Sequence, residues 1–119
     1  MEGKVKRLLA LGDLHTGSWC GLTPPHYDSP GASKSSKARY KFRRELWNWY
    51  RKTIEDIAPP DNPVDCVLIN GDAIDGSGHR SFGSEIVVPL AEQIEAATFA
   101  CQLIHVKNSS VHLTYGTGY

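Results

Sequence analysis

The sequence predicts an α/β fold in which strands and helices alternate, β-α-β-α-β, to build a mostly parallel sheet flanked by helices. Three observations predict it. Apolar runs of strand length occupy residues 5–11, 64–70 and 111–115. Between them lie two longer stretches with apolar residues at helical spacing. Each run is followed at once by a glycine turn: Gly12-Asp13, Gly71-Asp72 and Gly116-Thr117. Alternation of this kind implies parallel strands joined by right-handed crossovers.

The first run is almost continuously apolar from Leu8 to Leu11, as in a strand covered on both faces. Residues 16–37 follow as a long loop, because Gly17, Gly21, Pro24, Pro25, Pro30 and Gly31 deny them regular structure. A loop of that length in a compact domain is functional or disordered. Residues 39–58 read as a helix with Phe42, Leu46, Trp49 or Tyr50, Ile54 and Ile57 on its apolar stripe. Pro59-Pro60 ends it, since proline disfavours helical geometry in the residue before it.

Asp61-Asn62-Pro63 turns the chain into the second strand, residues 64–70, and residues 76–83 form a polar loop with glycines. Pro89 suits the first turn of a second helix, where its missing N–H costs little. The stripe of that helix is Leu90, Ile94, Ala97, Cys101 and Ile104, and Lys107-Asn108 suits its C-terminal end. Residues 111–115 are the third strand, and Gly116 to Tyr119 begins a turn.

At 119 residues the expectation is one domain, residues 1–119. Apolar residues make up 40% and charged residues 22%, as in ordinary globular proteins. The net charge is zero, which gives no global electrostatic case for a nucleic-acid or membrane partner. One local exception is the basic run Lys34, Lys37, Arg39, Lys41, Arg43 and Arg44, eleven residues without an acid. It is a solvated helix face or a patch that attracts phosphate groups. No segment approaches the apolar length of a membrane span, and the N-terminus lacks a signal-peptide pattern. Cys20, Cys66 and Cys101 have no metal-finger spacing. Cys66 and Cys101 read as small core residues and Cys20 as a loop thiol, which fits a reducing, cytoplasmic setting.

In a parallel sheet, ligands bind beyond the carboxyl ends of the strands. Those ends here carry Asp13 and His15, then Asp72 and Asp75, then Gly116 to Tyr119. Carboxylates with an imidazole two residues on are the makings of a metal site for Mn, Fe, Ni, Zn or Mg. Asp13 and His15 can turn toward one ion if Leu14 points back to the core, and Asp72 can reach the same ion or bridge two. Two ions roughly 3.5–4 Å apart clamp a phosphoryl group and acidify water. Gly12 and Gly71 permit tight turns.

Each residue also has a plainer reading. A lone Asp after a strand is often a cap or turn former. Asp75 fits orienting a neighbour or tying the loop better than ligating metal. His79 and Arg80 either contact a substrate phosphate or are exposed loop residues without a role. His26, His105 and His112 read as structural, Trp19 as packing or a stacking lid, and Trp47 and Trp49 as packing.

The chain resembles the calcineurin-like metallophosphoesterases. Asp13-Leu14-His15 matches the D-x-H motif of that family, and Gly71-Asp72-Ala73-Ile74-Asp75 matches G-D-x-x-D. The stretches around both motifs look most like phage or prophage members. The resemblance implies the first half of a four-layer metallophosphoesterase sandwich and a site for two divalent ions. It implies Asp13 and His15 on one ion and Asp72 bridging both; with the loop readings above, the candidate catalytic residues are Asp72, Asp75 and Arg80. Thr117 stands where the third motif, G-N-H-D/E, has its Asn ligand, and no histidine follows it. The later histidine segments of the family have no counterpart.

The expectation is therefore a metal-dependent phosphomonoesterase or phosphodiesterase, crippled as it stands, whose partner is a phosphoester substrate. The alternative is a non-catalytic, truncated phosphoesterase-like module. Such a half-domain would expose a sheet edge, favouring self-association or a completing chain. A generic α/β domain with turn-forming aspartates would show no response to metal.

Overall fold

The structure, a computed structural model, describes residues 5–27, 37–76 and 89–114. Over these residues it is an α/β fold with a three-stranded open parallel sheet and two α-helices. The strands are β1 (Leu8–Gly12), β2 (Cys66–Asn70) and β3 (Val111–Thr114), in the order β1-β2-β3. Leu8 pairs with Cys66 and Gly12 with Asn70, while Val67 pairs with Val111 and Asn70 with Thr114. This register aligns the carboxyl ends of β1 and β2, so the turns after them lie side by side. Helix α1 (Lys37–Ile57) joins β1 to β2, and α2 (Leu90–Gln102) joins β2 to β3.

Both helices pack on the same face of the sheet. Trp47, Tyr50 and Ile54 from α1 share one buried cluster with Ala100 from α2 and with Val67 and Ile69 from β2. The Tyr50 hydroxyl donates to the Ala100 carbonyl at 2.7 Å, tying the helices together. Burial pushes the Tyr50 phenol well above its ordinary pKa, so it remains a donor. Burying each large side chain of this cluster contributes about 1.5–3 kcal/mol.

Arg7 ties the other end of the sheet. Its guanidinium donates to the carbonyls of Ile57 at 2.6 Å and Asn62 at 2.5 Å, joining the start of β1 to the end of α1 and the turn beyond. Those carbonyls would otherwise lack an intrahelical or strand partner.

Several expectations need correction. β1 begins at Leu8 rather than Val5 and is covered on one face only, with Leu8 62% exposed and Ala10 exposed. The apolar run therefore does not mean a two-sided core here. The stripe of α1 is rotated: Arg43, Trp47, Tyr50 and Ile54 are buried, whereas Phe42 is 50% and Trp49 63% exposed. Arg43 is thus no solvated residue, and Trp49 no packing residue.

The stripe of α2 is rotated in the opposite sense, with Gln93, Ala96, Ala97 and Ala100 buried and Leu90 and Ile94 outside. α2 stops at Gln102, before a separate 3-10 turn at Lys107–Ser109, so Lys107 does not end it. His105 follows α2, where its Nδ1 lies 3.2 Å from the Ala58 carbonyl. An apolar groove stays open between α2 and β3, lined by Ile94, Ala97, Val111 and Leu113. No helix among the described residues is long and apolar enough to cross a membrane.

Candidate metal centre

The turns after β1 and β2 zip together beyond the sheet. The His15 N–H donates to the Asp72 carbonyl at 2.9 Å, and the Thr16 N–H to the Ala73 carbonyl at 3.1 Å. The Asp75 N–H returns to the Thr16 carbonyl at 3.0 Å. Leu14 is buried in the core, so Asp13 and His15 flank an inward-pointing residue on the same turn.

The result is a cluster. Asp13, His15 and Asp72 each present one ligand atom, and these atoms lie within 4.8 Å of one another. Among the described residues this is the one cluster of at least three metal-ligating side chains. His15 Nε2 is 3.8 Å from Asp13 Oδ1, and His15 Nδ1 is 3.4 Å from Asp75 Oδ1. Asp75 is buried whereas the Asp13 side chain is 79% exposed. One carboxylate thus sits beneath the imidazole and the other at the mouth of the site.

The backbone at these positions is strained. Asp13 has φ 53°, His15 φ 43° and Asp72 φ 46°, three of the five described non-glycine residues with positive φ. Such conformations cost about 1–3 kcal/mol each and persist where the surroundings over-determine them. The two motifs therefore do more than end two strands: their turns are held in a shape that brings together three side chains able to ligate a metal.

Gly12 has a different role from the one its motif suggests. It lies within β1 with only ordinary contacts where a Cβ would stand, and Asp13 itself makes the turn. Gly71, at φ 73°, does serve its turn, and the loop adds Gly21, where a Cβ would overlap the His15 carbonyl oxygen. The loop around it is bonded back on the site: Ser18 N–H donates to His15 O at 3.0 Å and Leu22 N–H to Leu14 O at 2.9 Å. No sequence signal separates Gly21 from the other loop glycines.

Gln93 is the second residue that sequence reasoning missed. Fully buried on α2, it accepts from the Gly76 N–H at 2.8 Å and donates to the Gly76 carbonyl at 3.2 Å. It fixes the chain one residue after Asp75. A lone Gln on an otherwise apolar helix face was the available clue.

The remaining candidates separate. His79, Arg80 and Thr117 lie outside the described residues. His26 packs edge-on against Phe99, with ring centroids 4.6 Å apart. His112 is exposed on β3. Trp19 is half-buried, with the Arg39 guanidinium 4.2 Å from its ring centroid, so the basic run and the site loop meet there.

Compared with known proteins, the chain matches no family model, no curated protein and no solved structure. The functional reading rests on the geometry of the site and the motifs that build it.

Proposed function

We propose that this chain is a metal-dependent phosphoester hydrolase of the calcineurin-like type, with Asp13, His15 and Asp72 as its metal ligands. One observation carries the reading: two carboxylates and an imidazole, brought from two strand ends, converge within 4.8 Å. A mixed oxygen and nitrogen donor set of this kind suits Mn, Fe, Ni or Zn. A bound divalent ion supplies Lewis-acid chemistry, neutralising charge on phosphoryl oxygens and acidifying water.

The residues of the chain divide the remaining work. Asp13 and Asp72 offer carboxylate oxygens, and His15 offers Nε2. Asp75, 3.4 Å from Nδ1, holds the imidazole in orientation from beneath. The family resemblance adds a second ion and Thr117 as a ligand, and the loop sequence adds Arg80 at a substrate phosphate; these belong to the proposal and not to the described geometry.

The test is hydrolysis of a chromogenic phosphodiester and of the matching monoester with added Mn, before and after chelation. Chelator-sensitive turnover that Asp72→Asn abolishes supports the reading. Turnover that survives both changes counts against it.

A second reading, a non-catalytic module that binds another chain through its sheet, is favoured by β3. Its Leu113 is 72% and Val111 45% exposed beside the apolar groove along α2. Metal-stabilised protein without turnover, forming oligomers that Leu113→Lys dissolves, favours that reading.

A further inference from the structure

A cavity of about 300 Å³ opens beside the metal centre, at the outer edge of β1. Gly12, Asp13, Cys20, Leu46, Trp49 and Tyr50 line it. Asp13 belongs both to this cavity and to the ligand cluster, so the two sites share a wall. The size lies at the lower end of the range for small-molecule sites, roughly 300–1,000 Å³, enough for one ring system and little more.

The chemistry of the lining is uneven. On the Asp13 side it is charged and 79% exposed. On the α1 side it is apolar and aromatic, with half-buried Leu46, buried Tyr50 and Trp49, the last 63% exposed. The core gives no reason for that exposure, because Trp47, Tyr50 and Ile54 fill the buried face of α1 without Trp49. An exposed indole over a recess that ends at a metal-ligating carboxylate is suited to a flat ring attached to an anionic group.

We infer that this cavity is the subsite for the ester substituent, and that the enzyme selects phosphoesters bearing a planar aromatic group, which packs against Trp49 while the phosphoryl group lies at the Asp13/His15/Asp72 cluster. The inference rests on the metal-site reading above. Trp49 here is a specificity residue and touches the substituent, not the reacting phosphorus.

Binding of non-hydrolysable phosphonates tests it free of leaving-group effects. Benzylphosphonate and ethylphosphonate are titrated into the protein with Mg present, following the Trp49 indole N–H resonance, assigned by its loss in Trp49→Phe. In parallel, Mn is added to read paramagnetic broadening of the His15 ring signals. Expected is broadening at His15, a shift of the Trp49 indole with benzylphosphonate alone, and roughly tenfold tighter binding of the aromatic ligand, the size of a good aromatic contact. In Trp49→Ala, whose exposed position leaves the core intact, the preference falls to near unity and the broadening stays. Broadening at His15 with equal affinities, with a preference that survives Trp49→Ala, or with no binding of either phosphonate overturns the subsite and leaves the metal site standing. Absence of broadening at His15 overturns the metal site, and the subsite with it.

Discussion

Gln93 holds the backbone of Gly76 by both of its polar groups, at 2.8 Å and 3.2 Å, from a position on α2 without solvent exposure. Helix α2 thereby fixes the end of the Asp72–Asp75 turn. The same side chain lies where a Cβ on Gly17 would stand, so it also backs the loop that follows His15. One buried amide thus braces both halves of the candidate metal centre.

Gln93→Leu keeps the volume and removes the hydrogen bonds, leaving the Gly76 N–H and carbonyl without this partner. The expected loss is about 2 kcal/mol of stability, as for buried polar groups deprived of a partner. Weakened Mn affinity should accompany it. Urea denaturation and a metal titration on the same variant check both; unchanged values in both would show that Gln93 does not brace the site.

Asp75 lies beneath His15, with its Oδ1 3.4 Å from Nδ1. Asp75→Ala frees the imidazole to rotate, and loss of such an outer partner lowers metal affinity by roughly 10–100-fold. Asp75→Asn retains an acceptor and should lose less. Calorimetric titration with Mn compares the three proteins, and equal affinity in all of them would contradict the positioning role.

Gly21→Ala places a methyl group on the His15 carbonyl. Either the loop shifts or the His15 turn does, at about 1–3 kcal/mol for overpacking. Gly12→Ala meets only ordinary contacts and serves as the comparison. Melting temperatures of the two variants should differ clearly, with Gly21→Ala the lower.

Asp65 sets an acid limit at the opposite end of the sheet. The Arg7 backbone N–H, then Lys107 and Lys6, hold its carboxyl below the usual carboxylate range. A depressed folded-state pKa gives stability that is present above the unfolded value, about 3.9, and is lost as pH falls through the folded value. The melting temperature of the parent protein should therefore exceed that of Asp65→Asn at neutral pH, with the gap closing below about pH 4. A gap independent of pH would assign the effect to packing.

The alternation of elements and the two motif turns were legible in the sequence because both depend on local order: the residues just after each parallel strand land at the same sheet edge. The one-sided burial of β1 was not legible, since Leu8-Leu9-Ala10-Leu11 reads alike whether one face or two are covered. The rotations of α1 and α2 were missed for a related reason. Arg43 and Gln93 are buried and Trp49 and Ile94 exposed, against their hydropathy. Gln93 is accommodated by a backbone partner 17 residues away, and the exposure of Trp49 coincides with the cavity beside Asp13. Positive φ at Asp13, His15 and Asp72 left no mark in residue type beyond the tolerance of aspartate for that region.

The most direct measurement is thermal unfolding with and without Mn, on the parent protein and on Asp72→Ala. If Asp13, His15 and Asp72 bind the ion, Mn at 100 times its Kd adds about 2.7 kcal/mol to the stability of the parent. EDTA should reverse that gain, and Asp72→Ala should lack most of it. An unchanged melting temperature in the parent, or an equal rise in the variant, would contradict a metal centre at these three residues.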